Sequence, residues 1–246
     1  MKTKLEDLIK TLKTLRDPEG CDWNRGQTHE TLIPYLLEET YEVIEAIENK
    51  DFELLKEELG DLLLHIIFQA ELADEKNKFN IYDSILNINQ KLINRKPHIF
   101  SDSNDDQWKL GKWEKAKKIE KNRKSVLEGV PKALPSLTKA RRIQEKAAGV
   151  GFDWDNNKKV LDKVDEEILE LKEAIIKKDG IDEEFGDVLF SLVNLSRHLD
   201  IDPESSLKKS TIKFIKRFKE IEKEVDIEKL TLDELDEIWN RNKQKK

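Results

Sequence analysis

The strongest constraint on this chain is that it repeats itself. Gly20-Cys21-Asp22-Trp23-Asn24 is matched by Gly151-Phe152-Asp153-Trp154-Asp155, and Leu37-Glu38-Glu39-Thr40-Tyr41-Glu42-Val43 by Asp165-Glu166-Glu167-Ile168-Leu169-Glu170-Leu171. Glu57-Glu58-Leu59-Gly60-Asp61-Leu62-Leu63 is matched by Glu183-Glu184-Phe185-Gly186-Asp187-Val188-Leu189. Further on, Lys91, Arg95 and Trp113 correspond to Lys213, Arg217 and Trp239. The offset stays between 122 residues (Lys91 to Lys213) and 131 residues (Asp22 to Asp153). The halves must therefore share one fold, in two copies of a unit of about 120 residues, a period too long for a stacked solenoid.

Each unit reads as helices only. Leu5, Leu8, Ile9, Leu12 and Leu15 recur at helical spacing, as do Leu32, Leu36, Thr40, Val43 and Ile47, and then Leu55, Leu59, Leu62, Leu63, Ile66, Ile67 and Ala70. In the second half Val160, Val164, Ile168, Leu171 and Ile175 reproduce the second stripe, and Phe185, Val188, Leu189, Leu192 and Val193 the third. The composition agrees: 39% of residues are charged, and there are only 9 Gly and 6 Pro, a profile of long solvated helices rather than a turn-rich sheet. The stretch Glu120 to Pro135, with Gly129, Pro131 and Pro135, breaks the periodicity. It divides the chain into a repeat over 1–120, a linker over 121–135 and a repeat over 136–246. Asp17-Pro18-Glu19-Gly20 and Lys96 to Asp105 read as turns, and Asp202-Pro203 as an N-cap followed by proline at the first helical position.

The acids are the part of the repeat that carries chemistry. Glu38, Glu39 and Glu42 fall on one side of a helix, and Glu58 and Asp61, three apart, share a face of the next. Glu166, Glu167, Glu170, Glu184 and Asp187 do the same in the second copy. Antiparallel packing would bring the two sets together across a narrow cleft, where their mutual repulsion calls for a cation. With 52 acidic residues in 246, one such pattern arises by chance in roughly one sequence in ten, but two in register inside matching repeats are another matter. All-oxygen ligation favours Mg²⁺, with Mn²⁺ as a substitute, and such ions bring phosphorylated substrates with them. Ferritin-like di-metal bundles use a Glu-x-x-His pair, where this chain has Asp61 and Asp187. None of the four histidines recurs in both copies. His65, on an apolar helix where the other copy has Ser191, reads as a packing or capping residue.

Other classes are set aside on composition. A net charge of −7 opposes a nucleic-acid polymer as partner. Cys21 is the only cysteine, which fits a reducing compartment. The N-terminus enters a charged amphipathic helix with no apolar signal region, and no stretch approaches a membrane span. These features lead us to expect a soluble, cytoplasmic protein. No Gly-x-x-x-x-Gly-Lys-Ser/Thr occurs, which excludes a P-loop nucleotidase. A non-catalytic helical interaction protein, with the acids as a partner-binding face, stays open as the alternative.

Glu-Glu-x-x-Glu followed by Glu-x-x-Asp in a helical repeat, with Gly20-Cys21-Asp22-Trp23 near the N-terminus and Lys96-Pro97-His98-Ile99-Phe100 at the end of the first unit, closely resembles the MazG family of tandem-repeat nucleoside triphosphate pyrophosphohydrolases, within the all-α NTP pyrophosphatase group. The likeness extends over essentially the whole chain, including Pro131-Lys132-Ala133-Leu134-Pro135-Ser136-Leu137. It implies two four-helix-bundle-like repeats around Mg²⁺, the reaction NTP + H₂O → NMP + diphosphate, and a homodimer whose subunits share their bundles. It also implies that the second repeat is the more dependable catalytic one. Carried over by position, Glu167, Glu170, Glu184 and Asp187 would be the metal ligands, with Glu166 beside them. Lys163 would meet phosphate or nucleotide, and Lys213, Arg217 and Trp239 would complete the nucleotide site. In the first repeat Glu39, Glu42, Glu58 and Asp61 repeat the ligand set, but Tyr35 replaces Lys163. One departure stands out: the family tends to place a lysine four residues before the Glu-x-x-Asp glutamate, where this chain has Gly180.

The residues support a mechanism of metal-assisted water attack on the α-phosphorus. Glu166 and Glu167 are equally defensible for orienting or deprotonating the water. Lys213 and Arg217, four apart, present two cations on one helical face. Trp239 is equally a base-stacking or a core residue.

Overall fold

The computed structural model describes residues 4–100 and 124–244, apart from the side chains of Pro97, His98 and Gln244. Every regular element among them is helical. The first unit contains α1 (Lys4–Arg16), α2 (Asp22–Gly26), α3 (Ile33–Asn49), α4 (Phe52–Asp74), α5 (Ile81–Asn94) and the single turn α6 (Pro97–Phe100). The second contains α7 (Ser136–Ala148), α8 (Asn157–Lys177), α9 (Ile181–His198), α10 (Pro203–Glu224), a 3₁₀ turn (Ile227–Lys229) and α11 (Leu232–Gln244). These form two compact units, and the point of division lies outside the described residues. Trp113 lies outside them too.

The centre of each unit is a helical hairpin, α3 with α4 and α8 with α9. Both turns are built alike. Lys50 and Lys178 adopt left-handed conformations, with φ of 57° and 58°. The amides of Asp51 and Asp179 then reach back to the carbonyls of Ala46 (3.0 Å) and Ala174 (3.2 Å), capping the last turn of each first helix. Ala46 and Ala174 are buried, and their small side chains let the partner helix approach. Such short connections force antiparallel neighbours. Asp51 accepts from the amides of Glu53 and Leu54 and so starts α4. Asp202 caps α10 through the Ser205 amide, with Pro203 in its first turn, as the sequence indicated.

Around the first hairpin, α1 contributes Ile9 and Leu12 to a core with Leu32, Ile67, Phe68, Ala70, Leu72 and Ile81. Its charges follow the helix dipole, Glu6 and Asp7 in the first turn and Lys13 and Arg16 in the last. The turn predicted at Asp17–Gly20 forms, closed by the Gly20 amide on the Asp17 carbonyl at 2.7 Å. Gly20 is needed there because a β-carbon would lie 2.4 Å from the Leu15 carbonyl oxygen. In the second unit Val160, Val164, Ala174, Val193 and Ile221 are buried. Residues 124–135 form turns without helix, and buried Lys146 donates to the Val126 carbonyl at 3.1 Å.

Two expectations change. Within Lys96 to Asp105, read as a turn, Pro97–Phe100 forms one helical turn, and residues 101–105 lie outside the described part. The third apolar stripe is not one covered face. Ile67 and Ala70 are buried, but Leu59, Leu63 and Ile66 are 49%, 39% and 48% exposed. Phe185, Leu189 and Leu192 are exposed at the matching positions of α9, as are Ile47 and Ile175 on the preceding helices. The hairpin helices are apolar on more than one side, and the α3–α4 and α8–α9 contacts cover only one of them.

Candidate active site

From its N-cap Leu32, the inward face of α3 runs through Leu36, Glu39, Val43 and Ala46, so an acid stands in the middle of an otherwise apolar stripe. Glu58 occupies the inward face of α4 and is buried. The hairpin sets Glu39 opposite Glu58 and Asp61, and one carboxylate oxygen from each lies within 4.8 Å of the others. The second hairpin does the same with Glu167, Glu184 and Asp187. Glu42 and Glu170 stand beside these trios rather than in them. The charge of Glu42 acts on both Glu39 and Glu58, and Glu170 feels Glu167 and Glu184. Glu38 is exposed, and the Glu166 side chain is 55% exposed.

The electrostatics of the first trio are those of unrelieved acids. Burial raises the Glu39 carboxyl above the ordinary glutamate range, and the charges of Asp61, Glu42 and Glu58 raise it further. Glu58 is raised by its loss of solvent and then by Glu42 and Asp61. Three converging oxygen donors whose charges oppose one another match a small hard dication, and the absence of a sulfur or imidazole ligand in either trio argues against zinc. The residues therefore fit Mg²⁺ or Mn²⁺.

In the second repeat the chain supplies a cation of its own. Lys163, one turn before Glu167 on α8, sets its Nζ 2.7 Å from Glu167 Oε1 and 2.9 Å from Glu166 Oε1. Hydrogen bonds to Glu167 and then Glu166 hold the Lys163 ammonium charged well above the usual lysine range. In the first repeat Tyr35 stands at this position. Its ring lies over His65, with centroids 6.4 Å apart and planes 14° apart, and Trp23 meets it edge-on at 5.7 Å. His65 Nε2 is 3.9 Å from Glu39 Oε1. Burial lowers the His65 imidazole, against the pull of Asp61, and its Nδ1 is buried without a hydrogen-bond partner among the described residues. The sequence points to His65 as a packing or capping residue and to Tyr35 as the replacement for Lys163, but not to the contacts that join Trp23, Tyr35 and His65. The available signal was spacing, since Tyr35 is four before Glu39 and His65 four after Asp61. Ser191, in the place of His65, simply donates to the Val188 carbonyl at 2.9 Å.

Gly180, where a lysine was expected by family pattern, has φ 68° and precedes α9 directly. A side chain there would be strained, so the turn geometry accounts for the glycine. Of the neighbouring lysines, Lys177 pairs with Glu173 on its own helix at 2.9 Å, and Lys178, like Gly180, is a left-handed residue of the turn.

Arg217 and Trp239 come together, on α10 and α11, and Lys213 lies one turn before Arg217 on the same helix. The Arg217 guanidinium lies 5.8 Å from the centre of the Trp239 ring, which packs on Phe214 at 5.1 Å. Lys213 and Arg217 line an open groove of about 770 Å³ with Lys209, Lys216 and Lys223 and two acids, Glu220 and Glu224. None of the acid trio lines it, and among the described residues no ion pair joins Lys213 or Arg217 to those acids. Their first-repeat counterparts differ in setting: Lys91 is in the last turn of α5 and Arg95 caps it, whereas Lys213 and Arg217 lie well inside α10.

Two helical hairpins, each bringing three carboxylates together around one buried glutamate, Glu58 or Glu167, define an all-α tandem-repeat protein with one acid centre per repeat. Its sequence matches the MazG nucleotide pyrophosphohydrolase domain twice, over residues 27–100 and 155–221, and the chain belongs to that family. It is 48% identical to the nucleoside triphosphate pyrophosphohydrolase/pyrophosphatase MazG of Thermotoga maritima, over 97% of this chain and 95% of that one. It is 40% identical to the nucleoside triphosphate pyrophosphohydrolase of Escherichia coli K12, over 98% of this chain and 97% of that one. The likeness read from the acid motifs and the enzyme class it implied both follow from this membership.

Proposed function

We propose that the chain hydrolyses nucleoside triphosphates to nucleoside monophosphate and diphosphate, with the second repeat as the working site. The observation that carries this reading is the convergence of Glu167, Glu184 and Asp187 beside Lys163, in a chain of a pyrophosphohydrolase family. Mg²⁺, or Mn²⁺ in its place, would be held by Glu167, Glu184 and Asp187 with Glu170 alongside, and would supply charge neutralisation on the phosphates and the leaving diphosphate. The chain's own groups do the rest. Lys163 reaches phosphate oxygens once it leaves Glu167. Glu166, half in solvent, or Glu167 orients a water and accepts its proton as the water oxygen bonds to the α-phosphorus and the bridging oxygen departs with the diphosphate. Lys213 and Arg217 offer two cations to phosphate oxygens, and Trp239 a ring face to the base.

A homodimer belongs to the same reading. The exposed rows Leu59, Leu63, Ile66 and Phe185, Leu189, Leu192 recur at matched positions, and apolar rows of this kind call for a covering partner. No helix among the described residues is long and apolar enough to cross a membrane. With a single cysteine and a charge of −7, the reading places the protein in the cytoplasm, acting on nucleotides rather than nucleic-acid polymers, in keeping with a role in clearing unwanted nucleotides.

Incubation with each NTP, with and without Mg²⁺, followed by chromatography of the products tests the reading. Diphosphate with the monophosphate is expected; orthophosphate alone would refute the bond assignment, and no turnover with any divalent ion would favour a non-catalytic interaction protein. Glu167→Gln is expected to abolish turnover and Glu39→Gln to spare it; the reverse result would move the active site to the first repeat.

A further inference from the structure

We propose that Lys163 and the divalent cation compete for Glu167, so that the second repeat takes up its metal together with a triphosphate, while the first repeat, with Tyr35 at that position, loads metal without nucleotide. This rests on the pyrophosphohydrolase reading above and concerns the order in which the site is filled.

Lys163 Nζ is bonded to a carboxylate that is itself one of the three converging acids. The Glu167 side chain is only 10% exposed and Lys163 is 37% exposed, so solvent is excluded on the carboxylate side of this ion pair while the ammonium keeps a path outward. A cation entering the trio must share Glu167 with a positive charge already at 2.7 Å, or displace it. Displacement has a ready route. Lys163 is also bonded to Glu166, which faces solvent, and a triphosphate offers it oxygens of higher charge. Nucleotide thus removes the competitor, and by linkage the metal raises nucleotide affinity by the same factor. The first repeat lacks this device. Among the described residues no lysine or arginine pairs with Glu39, Glu58 or Asp61, and Tyr35 is engaged in the stack on His65.

The test is a Mn²⁺ titration of the full chain, followed by water-proton relaxation, with and without an ATP analogue carrying a methylene in place of the α,β-bridging oxygen. Asp61→Asn serves as the background that silences the first trio, and Asp61→Asn/Asp187→Asn gives the baseline for Mn²⁺ held by the analogue alone. In that background Lys163→Met is expected to tighten Mn²⁺ binding without analogue by about tenfold, the effect of losing a competitor for a carboxylate that is itself mostly out of solvent, and to erase the gain the analogue gives the parent. Lys159→Met, whose side chain pairs with Asp155 at 2.9 Å, controls for net charge and is expected to change neither. Unchanged or weaker Mn²⁺ affinity in Lys163→Met, or the same tightening in Lys159→Met, overturns the competition while leaving the metal reading intact. Mn²⁺ binding with analogue that is indifferent to Asp187→Asn overturns both.

Discussion

In the first repeat the ring of Tyr35 lies over that of His65, 6.4 Å between centroids and nearly parallel, where the second repeat sets Lys163 against Glu167. Two copies of one hairpin have thus solved the same problem, acids inside a helical bundle, with different neighbours. The second uses a lysine on the same helix. The first uses an aromatic layer that shields an imidazole 3.9 Å from Glu39, and leaves the acids to repel one another.

That layer makes the first unit sensitive to mild acid. Burial holds the His65 imidazole below its ordinary value of 6.5, so between that value and the lower folded one the unfolded chain binds the extra proton. The stability His65 contributes is therefore present above pH 6.5 and lost as pH falls through the folded value. His65→Gln is expected to flatten the melting temperature against pH in this window. Tyr35→Ala, which opens the stack, is expected to cost about 1 kcal/mol of ring contact and to return the imidazole towards 6.5 in an NMR titration. An unmoved imidazole in Tyr35→Ala would show that the ring does not shield it.

The acid trio predicts the opposite pH trend. Glu39 and Glu58 have carboxyls raised above the ordinary 4.5, by burial and by their acidic neighbours, so the folded chain holds protons the unfolded chain has released. Their contribution to stability is fully present below 4.5 and is lost as pH rises through the folded values. Without a divalent ion, Glu58→Gln is expected to raise the melting temperature at neutral pH by a few degrees. In the parent, Mg²⁺ is expected to raise it and EDTA to reverse the gain, with Glu58→Gln blunting both effects. Calorimetry with and without Mg²⁺ measures all of these, and a destabilised Glu58→Gln would show that the trio is held by contacts other than charge relief.

Much of this was legible in the sequence, for identifiable reasons. Helix hairpins follow from stripes broken by short polar links, and acids at three- and four-residue spacing must share a helix face, so Glu39 with Glu58 and Asp61, and Glu167 with Glu184 and Asp187, were within reach. What periodicity does not encode is which apolar side is covered. It counted Leu59 and Leu63 with Ile67, although only Ile67 is buried. Nor does it reveal contacts between helices. Tyr35 and His65 are separated by the α3–α4 turn and meet only when the hairpin closes. Matched sequence also diverges locally: Asp22 opens α2 and pairs with Arg25, whereas Asp153 sits in an irregular loop held by Arg197 and His198.

The uncovered apolar rows predict association. Leu63 on α4 and Leu189 on α9 occupy matching places in the exposed stripes. If a second copy of the chain covers them, Leu63→Glu or Leu189→Glu places a charge in an apolar contact and is expected to weaken association by roughly a hundredfold. Sedimentation equilibrium of the parent and both variants decides it. A parent that stays monomeric at micromolar concentration, or variants that associate as tightly as the parent, would remove the homodimer from the reading.

Asp153 fastens the loop between α7 and α8 to the far end of α9, through Arg197 Nη1 at 2.8 Å and His198 Nε2 at 2.9 Å. Its position matches that of Asp22, yet its partners come from a different helix, so it ties the loop to the hairpin that carries Glu184 and Asp187. Burial tends to raise the Asp153 carboxyl, but hydrogen bonds from Arg197 and His198 outweigh it and hold the group below the ordinary 3.8. A depressed carboxyl contributes stability that is present above 3.8 and lost as pH falls through the folded value. Asp153→Asn keeps the shape and removes the charge, so it is expected to cost about 1 kcal/mol at neutral pH, the worth of charge-assisted bonds to a carboxylate that solvent partly screens. Denaturant melts of parent and variant from neutral pH down to pH 3 measure the difference, which should shrink towards the acid end as the parent's own carboxyl takes up its proton. A constant difference across that range would mean that the charge contributes nothing and that Asp153 acts by packing alone.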